Sequence, residues 1–343
     1  MHIRSIIRDD WPTIQSELSG QKKRRCASTR KKMSSAYTDA VTELRSVLEA
    51  KNEQGFVAFT GKYSADERKS IRLEYDEKAT DEKGKLIPFM KKCLKNGPFE
   101  DIMVYAWNCK KLARVAILEK AMKGTNDYRA IHDVILLCDQ RERAALFEEY
   151  RSKTGNDLAQ TVKSQIGLDS VADYLCHLSL EKDRAPRSSI LSDAEALKRN
   201  LVDSATPDHG EIVRIIVTST HEEYKEINHK FEVLTGKTVQ EAIEAKYSKV
   251  EDVRGLCTAH YYSLAPARAV AYLMYRALHE GDVAMRYDQV ARITGLYHEL
   301  HKFAWVHYAC WGVMQSDITS FLTSTDDNKV NVRDACLTLW KFK

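Results

Sequence analysis

The chain has 343 residues, 43% of them hydrophobic and 30% charged, with a formal net charge of +4; these are the proportions of a soluble globular protein and exclude a wholly disordered, collagenous or bilayer-spanning chain. No apolar run reaches the ~18 residues of a membrane helix, and Met1-His2-Ile3-Arg4-Ser5 opens without an apolar signal core, so a cytoplasmic protein is expected. Fourteen Gly and six Pro are too few for the turns of an all-β or alternating α/β chain of this length, so an all-α protein is predicted.

In chain order, residues 1–37 come first, with nine Lys or Arg against three acids, a net of +6 that leaves the remainder near −2. Gln21 to Lys32 is basic and almost free of large apolar side chains. It cannot offset its ordering entropy by burial and is expected to form a flexible basic tail, with a short helix over Pro12–Leu18. Further on, three apolar stripes at helical spacing follow one another: Leu112, Val115, Leu118 and Met122; Ile131, Val134, Ile135 and Cys138; Val171, Tyr174, Leu175 and Leu178. Gly97-Pro98, Lys123 to Asp127 and Thr154-Gly155-Asn156 punctuate them, with Gly and Asn tolerating positive φ and Asp or Asn capping the next helix.

One plan recurs four times, an acid-rich helix ending in an aromatic: Ala65–Tyr75, Gln140–Tyr150, His221–Phe231 and His298–Tyr308, the aromatic returning after 75, 81 and 77 residues. Such a period is too long for a single helix pair and fits four small bundles of about five helices each. The expected divisions are the tail at 1–37 and repeats at 38–109, 110–184, 185–262 and 263–343. The eight cysteines are scattered singly, without a C-x-x-C pair, and are read as reduced and mostly buried.

Ala121-Met122-Lys123-Gly124-Thr125-Asn126-Asp127, followed by Ala130-Ile131 and later by Tyr150, Gly155-Asn156-Asp157-Leu158 and Val162-Lys163-Ser164, resembles an annexin repeat. Glu49 to Glu53, Lys237 to Tyr247 and the ending Leu337 to Lys343 are similar to the alpha-giardin branch, the annexins of a flagellated protist. The resemblance covers about residues 38–343. It implies a slightly curved all-α disc of four five-helix repeats that binds acidic, phosphatidylserine-like phospholipid in the presence of Ca²⁺. For this branch it also implies a peripheral place at the membrane and the flagellar or submembrane cytoskeleton; tubulin or another acidic cytoskeletal protein is a candidate partner of the basic tail.

Ca²⁺ is a hard cation that takes six to eight oxygens. The resemblance supplies them from carbonyls of a Gly-rich loop, one distant bidentate carboxylate, and water or lipid phosphate. In the second repeat the loop survives as Met122, Gly124 and Asn126, but the carboxylate position is Gln165, an amide. The first repeat has Val47 to Ala50 without glycine, and Cys93 at the carboxylate position, so its site is expected to be lost. The third has Asp203 to Asp208 with Ala245, beside Glu244. The fourth combines His279-Glu280-Gly281-Asp282 with Asp326-Asp327, and His279, Gly281 and one of these two aspartates are the favoured calcium ligands. Lys22, Lys23, Arg24, Arg25, Arg30, Lys31 and Lys32 are the candidate membrane or partner contacts.

Other chemistry is sparse. His298, Glu299, His301 and His307 lack the spacing of a zinc helix, and neither a phosphate loop nor a nucleophile elbow is present, so no catalysis is expected. Trp305, Trp311, Phe303 and Tyr308 are read as core. Nucleic acid is not an expected partner, since Gln21 to Lys32 lacks aromatics on which bases could stack. An oligomer is left open. A cytoskeletal linker with weak or lost calcium binding is the alternative function, because the loops are degraded and a basic tail suits an acidic polymer.

Overall fold

The computed structural model describes residues 37–79, 84–323 and 327–343; helix takes up 77% of them, with no strand. The helices run in four successive sets of five. The first set is α1 (Thr38–Glu49), α2 (Glu53–Lys62), α3 (Ala65–Lys78), α4 (Leu86–Cys93) and α5 (Pro98–Trp107); the second is α6 (Lys110–Ala121), α7 (Tyr128–Ile135), α8 (Gln140–Thr154), α9 (Leu158–Ile166) and α10 (Val171–Glu181). The third is α11 (Ile190–Lys198), extended by a π-turn over Arg199–Asp203, then α12 (His209–Thr218), α13 (His221–Thr235), α14 (Val239–Lys246) and α15 (Val250–Leu264). The fourth is α16 (Pro266–His279), α17 (Val283–Tyr297), α18 (His301–Tyr308), α19 (Met314–Phe321) and α20 (Asp327–Leu339).

The recurring sequence plan is the third helix of each set. Ser64 with Glu67, Asp139 with Glu142, and Thr220 with Glu223 form reciprocal capping boxes that satisfy the first orphan N–H groups of α3, α8 and α13. In the fourth set a 3-10 turn, His298–Leu300, replaces the box. Gly155 and Gly236 end α8 and α13 at φ 75° and 68°, left-handed angles at which a side chain would be strained. The recurring aromatics Tyr75, Tyr150, Phe231 and Tyr308 are all buried, so each helix is pinned by one large ring.

The sets associate in two pairs. α17 and α20 pack on α5, and α20 on α2, joining the fourth set to the first; α10 packs on α15 and α12, joining the second to the third. The pairs meet where α17 touches α6 and α7 and where α5 touches α6. A charged knot lies at this meeting. Asp133 of α7, 1% exposed, accepts from Arg254 of α15 and from Arg292 Nε and Nη2 of α17 at 3.1 and 2.9 Å, so one carboxylate ties three sets together. Burial alone would raise the Asp133 carboxyl, but the two guanidiniums outweigh it and hold it below the usual carboxylate range.

Some expectations change against the coordinates. Tyr308 is core and Trp311 is half-buried against Tyr275, but Phe303 is 65% exposed, since α18 turns that position outward. Trp305 is half-buried, stacked on Phe342 with centroids 5.0 Å apart. α15 continues to Leu264, past the boundary expected at 262, and Ala265-Pro266 makes the break. Among the described cysteines Cys176, Cys257 and Cys336 are buried, Cys93, Cys109 and Cys138 are half-buried, and Cys310 is exposed; no two of them are bonded to each other. The basic tail and the Pro12–Leu18 helix lie outside the described residues.

Candidate cation site and loop face

In the second set the turn from α6 to α7 meets the turn from α9 to α10. Asn126 Nδ2 donates to the Gln165 carbonyl at 2.7 Å, which brings together the two segments expected to share a cation. None of the carbonyls from Met122 to Asn126 accepts a hydrogen bond from a described residue. Gly124, at φ 81° with open space where a Cβ would stand, permits their convergence. Asn126 Oδ1 is buried and has no hydrogen-bond partner among the described residues. An orphaned acceptor beside free carbonyls is an all-oxygen donor set of the kind a hard cation prefers. Asp127 caps α7 by accepting from the Ala130 N–H at 2.9 Å, and its other oxygen lies 3.5 Å from Arg292. The Gln165 side chain is exposed and adds no charge.

In the fourth set the His279 and Gly281 carbonyls accept from no described residue, with Gly281 at φ 95°. Two cations stand beside them. Arg286 donates to the Ala277 carbonyl at 3.2 Å and also to that of Leu278, while its guanidinium lies 4.0 Å from the centre of the Phe321 ring. Arg129 Nη1 comes within 3.0 Å of where a Gly281 Cβ would be. His279 Nε2 is 3.3 Å from Asp317, which also accepts from the Tyr308 hydroxyl at 2.8 Å. Asp326 lies outside the described residues, and Asp327 is the first residue of α20.

In the third set a lysine spans the corresponding turns, the Lys246 ammonium at the end of α14 donating to the Ser204 carbonyl. In the first, the turn is Ala50-Lys51-Asn52, with Lys51 at φ 50°, and faces Cys93 at the end of α4. Neither the Lys246 nor the Arg286 contact was visible in the sequence: Lys246 ends α14, where a basic residue is common for the macrodipole alone, and Arg286, in the first turn of α17, reaches back to carbonyls of the preceding helix. No group of three or more His, Cys, Asp or Glu among the described residues is arranged to hold a metal, so a cation here depends chiefly on carbonyl oxygen.

Around these turns, large apolar side chains stand in solvent: Tyr128, Leu168, Val250, Val283 and Met285, each about half exposed, from 44% at Met285 to 56% at Val283. Each begins a helix or lies beside one of the turns just described. Arg129 holds two of the sets in register here, its Nε and Nη2 donating to Glu251 Oε1 at 2.8 and 2.6 Å. No helix among the described residues is long and apolar enough to cross a membrane. The seven basic residues from Lys22 to Lys32 lie outside the described residues.

Known proteins share this architecture. The alpha-11 giardin annexin domain model matches residues 267–342. Giardin subunit alpha-6 of Giardia intestinalis is 30% identical over 247 residues, covering 72% of this chain and 80% of that protein. The calcium-bound structure of alpha-11 giardin is 56% identical with a TM-score of 0.83, covering 89% of this chain and all of that one. Calcium-bound alpha-1 giardin, 24% identical with a TM-score of 0.77 over 90% of this chain, shares the fold. Four five-helix sets, the turns that pair within a set and this similarity along most of the chain agree: the protein belongs to the alpha-giardin branch of the annexin family.

Proposed function

We propose that the protein binds acidic phospholipid membranes peripherally, with Ca²⁺ held at the turns of the loop face, and that it links such membranes to the flagellar or submembrane cytoskeleton. The observation that carries the reading is the second-set turn, where free carbonyls from Met122 to Asn126 and the orphaned Asn126 Oδ1 lie against the Gln165 segment. Met122, Gly124 and Asn126 would hold the ion through oxygen. Bound calcium would supply a positive centre that lipid phosphate completes, while Tyr128 and Leu168 beside it offer apolar surface to the acyl boundary. That alpha-11 giardin, 56% identical, has a calcium-bound structure supports calcium as the ion.

The fourth-set turn is the second site, with carbonyls of His279 and Gly281 and the carboxylate of Asp327 or Asp326. It ranks after the second because Arg286 and Arg129 already bring positive charge to that turn. With one carboxylate at most per site, affinity without a membrane should be weak, on the order of 10⁻⁴ to 10⁻³ M. Co-sedimentation with phosphatidylserine vesicles, in calcium and in chelator, tests the reading. Gln165→Glu should increase calcium-dependent binding, and Asp326→Ala with Asp327→Ala should remove only the fourth-set contribution. Calcium that changes nothing in the parent or in Gln165→Glu would defeat the proposal.

A second reading, a structural cytoskeletal protein with little use for calcium, is favoured by one observation: in the third set Lys246 donates to the Ser204 turn carbonyl, and in the fourth Arg286 donates to carbonyls in the last turn of α16. Microtubule co-sedimentation in chelator, undiminished by Gln165→Glu, would favour it. The protein on either reading acts by binding rather than catalysis.

A further inference from the structure

We infer that the first set carries an anion site that holds a phosphate group through Lys51, Lys92 and Lys95 without any metal. A cavity of about 540 Å³ opens between the α1–α2 turn and the end of α4, with α20 as its back wall through Val330 and Asn331. Its volume is that of a small-ligand pocket. All three lysines line it, and none forms an ion pair with a described residue. Two other lysines of this set are paired, Lys62 with Glu43 and Lys78 with Glu74.

Among the described residues the one carboxylate in the wall is Glu53, which is engaged by the Asn331 amide. The lining is therefore positive by two charges when all four groups are ionised, and the ammonium groups repel one another across an open space. A phosphate carries about −1.5 to −2 charges and three strong acceptor oxygens, which relieves that repulsion. Lysine binds phosphate as a compact point charge, so the three need no fixed fork geometry. The backbone adds to this. Lys51 takes a left-handed φ of 50°, turning the chain sharply into α2, whose first residues Glu53 and Gln54 line the same cavity, so the positive end of that helix stands at its wall.

The chemistry is the phosphate group, and two sources can present it: the headgroup of an acidic phospholipid or a free phosphate. The site requires no calcium, and the inference rests on no part of the calcium assignment above.

The test is lysine acetylation of the full chain in chelator, read residue by residue by mass spectrometry. It is run with phosphatidylserine vesicles, with phosphatidylcholine vesicles and with inorganic phosphate. Protection of Lys51, Lys92 and Lys95 by phosphatidylserine but not phosphatidylcholine vesicles supports the site and identifies a lipid source; protection by inorganic phosphate supports it with a soluble one. Lys69 and Lys225 on α3 and α13 should stay reactive throughout. In parallel, binding of the protecting vesicle or phosphate in chelator, read by co-sedimentation or titration calorimetry, should weaken roughly tenfold or more when Lys51→Gln, Lys92→Gln and Lys95→Gln are combined, the scale expected when several basic contacts to an anionic surface are lost, while the triple Arg variant retains it. All three residues are exposed, so the fold should survive. The absence of protection in both phosphate arms, or a triple Gln variant that binds like the parent, overturns the inference. Repeating the assay with calcium scores the Gln165 site separately.

Discussion

Replacing Asp133 by Asn removes the one carboxylate between Arg254 and Arg292 while keeping the size of the side chain. The two guanidinium side chains are 3% and 8% exposed, so neither can recover hydration without moving a helix. Breaking a buried ion pair by deleting one partner costs about 3–5 kcal/mol, because the remaining charge is left uncompensated. The Asn carbonyl can still accept from one guanidinium, and Arg292 has Asp127 at 3.5 Å, so the lower half of that range is expected. Unfolding entropy of ~2.1 cal/mol/K per residue over this chain makes the loss a fall in Tm of roughly 4–6 °C. Differential scanning calorimetry of the parent and Asp133→Asn measures it. Adding Arg254→Met removes one stranded charge and should recover part of the loss, a coupling of about 1 kcal/mol or more. A Tm shift below about 1 °C, or a double variant whose losses merely add, would refute the view that this knot fastens three sets of helices.

Two other expectations concern acid and the tail. His260 and His298 are buried, and burial, helped by Arg268 and Arg68 respectively, pushes each imidazole down to about 3. The unfolded chain binds their protons near pH 6.5, so this contribution to stability is full above that pH and is lost as pH falls from 6.5 towards 3. At pH 5 the loss is about 2 kcal/mol for each, at ~1.4 kcal/mol per pH unit. Imidazole resonances of the folded protein should stay neutral to below pH 4, and titration of either above pH 5 would contradict this. Replacing the seven basic residues from Lys22 to Lys32 by Gln should lower salt-sensitive vesicle binding in chelator, each contributing up to ~1 kcal/mol near an anionic leaflet. Unchanged binding at low salt would show that the tail has no membrane role.

What could be read from the sequence was the chemistry that acts within one helix or one turn. The capping boxes at Ser64, Asp139 and Thr220, the glycines that end α8 and α13 and the recurring buried aromatics are all local patterns, and they are enough to imply four helical sets. The meeting of Asn126 with Gln165, 39 residues apart, was expected only through the family resemblance. The Asp133 knot was invisible because its partners lie 121 and 159 residues away, and its one sequence trace is an acid inside the apolar run Ile131 to Leu137. The turns show the same limit more sharply. Reading them for a cation meant looking for glycine and a carboxylate, whereas the fold brings lysine or arginine to three of the four. Once a turn's carbonyls or its cavity face a tethered positive group, an anion can be attracted there without a metal. A missing carboxylate therefore changes what a turn can bind, and the first set, the one judged empty from its sequence, is where that change goes furthest.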